Sequence, residues 1–125
     1  MTDAAALQIR IRIYCGDEIA MGPGKAGLLE AIREHGSISA AGRVLGMSYR
    51  RAWLLVDAMN RCWNEPLVDT FPGGANGHGA RISALGEEIL RHYRQLQAQV
   101  DGAAQGTFAE LAGALRTRPK ASQKS

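Results

Sequence analysis

Between Gly36 and Trp63 the chain reads GSISAAGRVLGMSYRRAWLLVDAMNRCW, two runs of helix-forming residues meeting at a glycine corner. Two helices joined so tightly must cross at close range, which demands small residues where they touch, and Ala41 and Gly46 are suited to that. Ser39 is the expected N-cap of a short helix over residues 40–45, Gly46 the left-handed residue that ends it, and Ser48 the cap of the next helix. In that second helix Ala52, Val56 and Met59 recur at spacings of four and three, one stripe to bury, while Tyr49, Arg50, Trp53 and Asp57 fall off it. The pattern predicts a helix-turn-helix with Arg50 and Arg51 presented at the start of its second helix. An ordinary helical hairpin fits the same residues until the flanking chain is read.

Upstream, LQIRIRIY over residues 7–14 alternates strictly, with Leu7, Ile9, Ile11 and Ile13 on one side, and predicts a half-buried strand. A glycine-rich loop around Pro23 leads to KAGLLEAIREH, an amphipathic helix from Lys25 stopped at Gly36. Downstream, Leu67, Val68 and Phe71 suggest a short strand, PGGANGHGA a flexible tip, and Arg81-Ile82-Ser83 the returning strand. A hairpin placed directly after a helix-turn-helix is a wing. Bare glycine backbone at its tip can approach a sugar-phosphate rail closely. Ser83 caps a last helix in which Leu85, Ile89, Tyr93, Leu96 and Val100 form a seam longer than a small core can cover, so part of it is expected to meet a second copy. Gly102 and Gly106 are expected to weaken that helix after Asp101, with Phe108, Leu111 and Leu115 forming one further amphipathic stretch.

The fold class expected is therefore mostly α with a small β component: a winged helix-turn-helix with an N-terminal strand and a long C-terminal dimerisation helix. The domain spans residues 7–116, residues 1–6 form a flexible N-terminus, and residues 117–125 a disordered basic tail. With 125 residues, 46% apolar and 22% charged, the chain has the composition of one soluble domain. No run nears the roughly 20 apolar residues of a membrane helix, nor does the N-terminus read as a secretion signal, so the expected location is the cytoplasm. The net charge of +3 permits a polyanionic partner without requiring one. Cys15 and Cys62 lie too far apart in sequence for a metal-binding pair and are expected to be buried free thiols. Histidines are scattered singly, no serine sits in a nucleophile elbow, and the glycine run lacks the Gly-Lys-Ser/Thr ending of a phosphate loop. No catalytic group, metal or cofactor is expected, and no enzyme.

The segments GSISAAGRVLGMSYRRAWLLVDAMN, EPLVDTFPGGANGHGARIS and LGEEILRHYRQL, in this order and spacing, resemble the N-terminal DNA-binding domain of the ModE-type molybdate-responsive regulators, a winged helix distantly similar to LysR-type readers. The resemblance runs from about Leu7 to about Leu115. It implies that Ser48, Tyr49, Arg50 and Arg51 begin the recognition helix, that Gly73, Gly74, Gly77, His78 and Gly79 form the wing tip, and that residues from Ala84 on dimerise. Regulators of that kind usually continue into a molybdate-binding region. Here the sequence stops at Ser125 with nothing like its oxyanion-binding motif, so molybdate is not expected to bind this chain, and any other effector is left open.

The expected function is transcriptional regulation by a homodimer that reads a pseudo-palindromic duplex with the helix from Ser48 and the wing at residues 72–81. Arg50 and Arg51 are the expected base or phosphate contacts, with Tyr49 beside them. Ser39, Ser48 and the helix N-terminal amides suit phosphate oxygens that fix register. Arg81, His78, Gly74 and Gly77 belong to the wing contact, and Trp53 is expected to buttress the recognition helix. Leu85, Ile89, Tyr93, Leu96 and Val100 are the expected dimer seam. The alternative is a winged-helix module that holds another protein without reading DNA sequence.

Overall fold

The computed structural model describes residues 5–73 and 78–122. Two short strands, β1 (Ile13–Cys15) and β2 (Glu18–Met21), form an antiparallel hairpin turned at Gly16, whose φ of 59° needs a glycine. Then follow α1 (Pro23–His35), α2 (Ile38–Val44), α3 (Tyr49–Cys62), the hairpin β3 (Val68–Pro72) with β4 (His78–Ile82), and α4 (Ala84–Gly113). The expected winged helix-turn-helix, mostly helical with two small sheets, is what forms.

Each helix starts where its sequence chemistry allows. Pro23 opens α1, where its missing N–H costs nothing. Gly36 closes that helix in the left-handed region at φ 77°. Ser37 caps α2, its Oγ accepting from Ala40 N at 3.1 Å. The cap is thus Ser37 and not the predicted Ser39, which lies inside α2: Gly36 releases the chain from α1 directly before Ser37, so the helix starts two residues earlier than expected. Ser48 and Ser83 cap α3 and α4 as expected, accepting from Arg51 N and Gly86 N.

The core gathers α1 through Leu28, Leu29 and Ile32, α3 through Ala52, Val56 and Met59, the wing through Leu67, Val68 and Ala80, and α4 through Leu90 and Tyr93. The predicted α3 stripe is entirely buried. Where α2 crosses α3, the contact is made by Gly42. A Cβ there would stand 3.3 Å from both Ala52 Cβ and Met47 O, so Gly42 sets the approach alongside the buried Ala41.

Two expectations about the ends are corrected. Only Ile13 and Tyr14 of the predicted strand 7–14 pair; residues 5–12 have no strand partner among the described residues, and Leu7 is exposed. Alternation alone does not make a strand without an edge to pair with. Instead Tyr93 Oη donates to Ile11 O at 2.6 Å, which ties this segment to α4. Conversely, Gly102 and Gly106 do not interrupt α4, which runs 30 residues to Gly113. That corresponds to about 45 Å of helix at roughly 1.5 Å per residue. Residues 115–122 carry no helix or strand.

Candidate nucleic-acid interface

The start of α3 and the wing stand side by side. On α3, Ser48 Oγ accepts from Arg51 N at 3.1 Å, so the cap occupies one of the free amides at this end. Arg50 and Arg51 are both exposed, neither is held in an ion pair among the described residues, and no acidic residue occupies the first turn of α3. The positive end of the helix and two exposed arginines therefore lie together at the start of α3. Lys25 of α1 is buried; burial pushes its ammonium below the ordinary 10.5, against the upward pull of Cys62 and Glu18, and Arg51 and Arg12 add to the lowering.

Tyr49 and Trp53, one turn apart on the same helix, are joined by a hydrogen bond from Trp53 Nε1 to Tyr49 Oη of 2.8 Å. They are 55% and 39% exposed, so Trp53 forms part of the outer wall, where it is bonded to the first residue of α3. The two rings lock each other into one rigid apolar bank. Asp57, the acidic residue of this face, is occupied by Arg61 at 2.8 Å.

The wing is built on Asn60. Its Oδ1 accepts from Leu67 N (2.9 Å) and Val68 N (3.1 Å), and its Nδ2 donates to Val68 O at 3.0 Å, so the last turns of α3 fix where β3 begins. The far strand is held by Ala80 N donating to Gly36 O at 2.9 Å. In the ladder Phe71 faces Gly79, and a Cβ on Gly79 would lie 2.4 Å from the Phe71 ring; glycine is what lets that ring lie across β4. Arg81 then stacks on the same ring, 4.8 Å from its centroid, with its charge free to face outward.

Between the two banks runs a groove of about 700 Å³, lined by Ser37, Ile38, Ser39, Tyr49 and Trp53 on the helix side and by Thr70, Phe71, Pro72, His78, Gly79 and Ala80 on the wing side. The structure thus brings together Ser39, Tyr49 and His78 around one groove, with Ser48, Arg50 and Arg51 at the helix start and Arg81 on β4. Gly74 and Gly77 lie outside the described residues. Ile38, Thr70 and Phe71 were missed in the sequence because each reads as an ordinary apolar or strand residue; only the approach of the hairpin to α2 and α3 reveals that they line one groove from its two sides.

The predicted dimer seam divides. Tyr93 is 2% exposed and lies in the protomer's own core, so it is withdrawn from the seam: its ring fills space between α4 and the segment at Ile11. Leu85 and Ile89 pack against that core, whereas Leu96 is 37% exposed. Arg94 forks onto Glu30 of α1 through Nε (2.9 Å) and Nη2 (2.6 Å). This pairing holds the Glu30 carboxyl below the ordinary 4.5.

No protein-family model matches the chain. The molybdenum-pterin-binding protein MopB of Rhodobacter capsulatus is 44% identical to it over 80 residues, which make up 64% of this chain and 30% of that protein. The DNA-binding transcriptional dual regulator ModE of Escherichia coli K12 is 30% identical over 93 residues, 74% of this chain and 35% of that one. Over these residues the chain is similar to the ModE-type regulators. A solved DNA complex of the CbnR DNA-binding domain superposes with a TM-score of 0.54 over 70% of this chain and 95% of that chain, at 17% identity, which is a likeness of fold. The chain spans about a third of the length of the curated relatives it matches. Among the described residues no helix is long and apolar enough to cross a membrane.

Proposed function

We propose that this ModE-type domain binds double-stranded DNA as part of a transcriptional regulator, with α3 in the major groove and the wing along the flanking strand. One observation carries the reading: two exposed arginines at an acid-free helix start and an arginine stacked on the wing belong to the two elements, α3 and the hairpin, that wall one groove. Arg50 and Arg51 are in position to reach base edges or phosphate. An arginine bidentate to guanine discriminates by roughly 1–3 kcal/mol. The Ser48 hydroxyl, the α3 amides and Ser39 suit phosphate oxygens, and the apolar walls of Tyr49, Trp53 and Phe71 suit the sugar faces of the strand that helix and wing straddle. Two copies joined through the distal part of α4 would present their α3 helices to half-sites about one helical turn, roughly 34 Å, apart.

The test starts from a duplex selected out of a random library by the full chain. Arg51→Ala is expected to weaken that duplex more than a scrambled one. Arg81→Ala is expected to weaken both alike and to lower the slope of log K against log salt by about one unit. Equal losses on every sequence for both variants would remove this division of roles. A failure to select any duplex, with a protein captured instead by the same surface, would favour the interaction module.

A further inference from the structure

Cys15 and Cys62 are far apart in sequence and adjacent in the fold. Cys15 is the last residue of β1 and pairs with Glu18; Cys62 is the last residue of α3. Both neighbours of Cys62 are fixed to β2: Arg61 Nη2 meets Glu18 Oε1 at 3.4 Å, and Trp63 Nε1 donates to Ala20 O at 3.0 Å. The end of α3 is thereby clamped on the hairpin from both sides, which sets Cys62 beside Cys15, the strand partner of Glu18. Neither is deeply buried, Cys15 being exposed and Cys62 half-buried, against the expectation of two sealed thiols.

We propose that Cys15 and Cys62 are a modification site: a thiol pair that a peroxide converts to an intramolecular disulfide, stapling the C-terminal end of α3 to the β1–β2 hairpin. The exposed Cys15 thiolate attacks one peroxide oxygen; the O–O bond breaks, one hydroxide leaves and is protonated to water, and Cys15 becomes a sulfenic acid. Cys62 sulfur then attacks the Cys15 sulfur, the S–O bond breaks, and the departing hydroxide takes the Cys62 proton as a second water. The two thiols lose two electrons and two protons, and the peroxide gains them. The order follows from exposure, and burial together with the neighbouring Cys15 pushes the Cys62 thiol up, which keeps it protonated as the resolving partner. Metal capture is the competing use of two thiols, but among the described residues no third histidine, cysteine or carboxylate joins them in a metal-holding group.

The bond would close a loop containing α1, α2 and α3, so it acts on the unfolded chain more than on contacts already made. Its staple sits at the opposite end of α3 from Ser48 and Arg51, which makes the proposal independent of DNA binding. The reduced full chain is treated with hydrogen peroxide, and intact mass, free-thiol count and thermal midpoint are measured. The expected result is a monomeric product lighter by two hydrogens, with no free thiols, a midpoint raised by roughly 5–15 °C, and full reversal by dithiothreitol. In guanidinium the same bond should form at least about tenfold more slowly, because the fold supplies the proximity. Cys62→Ser should stop at a sulfenic acid on Cys15 that dimedone traps. Independent over-oxidation of the two sulfurs, a disulfide found only between copies, or equal rates in folded and unfolded chain would overturn the proposal.

Discussion

Replacing Gly86 by alanine tests whether the wing and α4 meet at main-chain contact. Gly86 is the third residue of α4, and its N–H donates to the Ser83 cap at 3.0 Å. A methyl carbon there would lie 2.3 Å from the carbonyl oxygen of Leu67 and 2.5 Å from Ile82 Cγ2. The first obstacle is backbone, and that same oxygen already accepts from Ser83 N at 2.9 Å, so no side-chain rotation relieves the clash. The helix start has to back away from β3. Overpacking of this kind costs about 1–3 kcal/mol, and stretching the Ser83 links adds about 1 kcal/mol. Alanine's helix preference returns up to about 1 kcal/mol, less in the first turn than in the interior. The net expectation is a loss of about 2–3 kcal/mol, near 10 °C in midpoint at roughly 4 °C per kcal/mol for a domain of this size. A methyl added at Gly102 or Gly106 of the same helix would meet nothing within 4 Å, so alanine at either should stabilise by up to about 1 kcal/mol. Urea or thermal unfolding of the three variants reads the contrast. If Gly86→Ala matched or exceeded the wild-type midpoint, the close approach of α4 to the wing would be wrong.

Three further outcomes follow from single contacts. Asn60→Ala removes three hydrogen bonds at the start of β3 and should cost about 2–3 kcal/mol in urea unfolding, with Asn60→Asp losing less because it keeps both acceptor contacts; equal losses would deny the acceptor role. Tyr93→Phe deletes the tie to Ile11 O and should cost about 1 kcal/mol while raising amide exchange at residues 9–13, and unchanged exchange there would mean that the segment is held by packing alone. Because Arg94 holds the folded-state Glu30 carboxyl below its ordinary 4.5, this pair's contribution is fully present above that value and is lost as pH falls through the lower, folded one. Both side chains are about two-fifths exposed, so the discounted contribution is about 0.5–1 kcal/mol; Glu30→Gln should flatten the acid side of the stability curve by that amount, and an unchanged acid limb would show the pair to be silent.

What the sequence made legible is the part of the domain that obeys a period. The α3 stripe, the Gly36 corner, the caps at Ser48 and Ser83 and the wing's strand-turn-strand order all rest on local chemistry that a neighbour does not alter. What it hid depends on partners far along the chain. The alternation at residues 7–14 is real, yet a strand needs an adjacent edge, and among the described residues the edge offered is β2, which reaches only as far as Ile13. Ser37 and Ser39 are equally good cap residues by type, and the choice between them is made by where Gly36 releases the chain. Trp53 was legible as off the buried stripe but not as half of a locked pair with Tyr49, and the meeting of Cys15 with Cys62 has no local signature at all.

Helix α4 illustrates how a correct period can be assigned to the wrong job. Its apolar residues recur regularly from Leu85 to Val100 because one face of one helix continues, but a face has as many partners as it has neighbours along its length. The first turns of α4 meet the protomer: Leu85 and Ile89 lean on the core, Leu90 and Tyr93 are inside it, and Arg94 seals the edge against Glu30. Beyond that seal no buried residue of the helix remains among those described, and there Leu96 is 37% exposed and Leu111 68% exposed. Burial is the force that would recruit a second copy, and it is already spent on the first part and unspent on the second. The proposed dimer therefore belongs to the distal arm alone, and the separation of the two α3 helices is set by how far that arm carries each core from the joint.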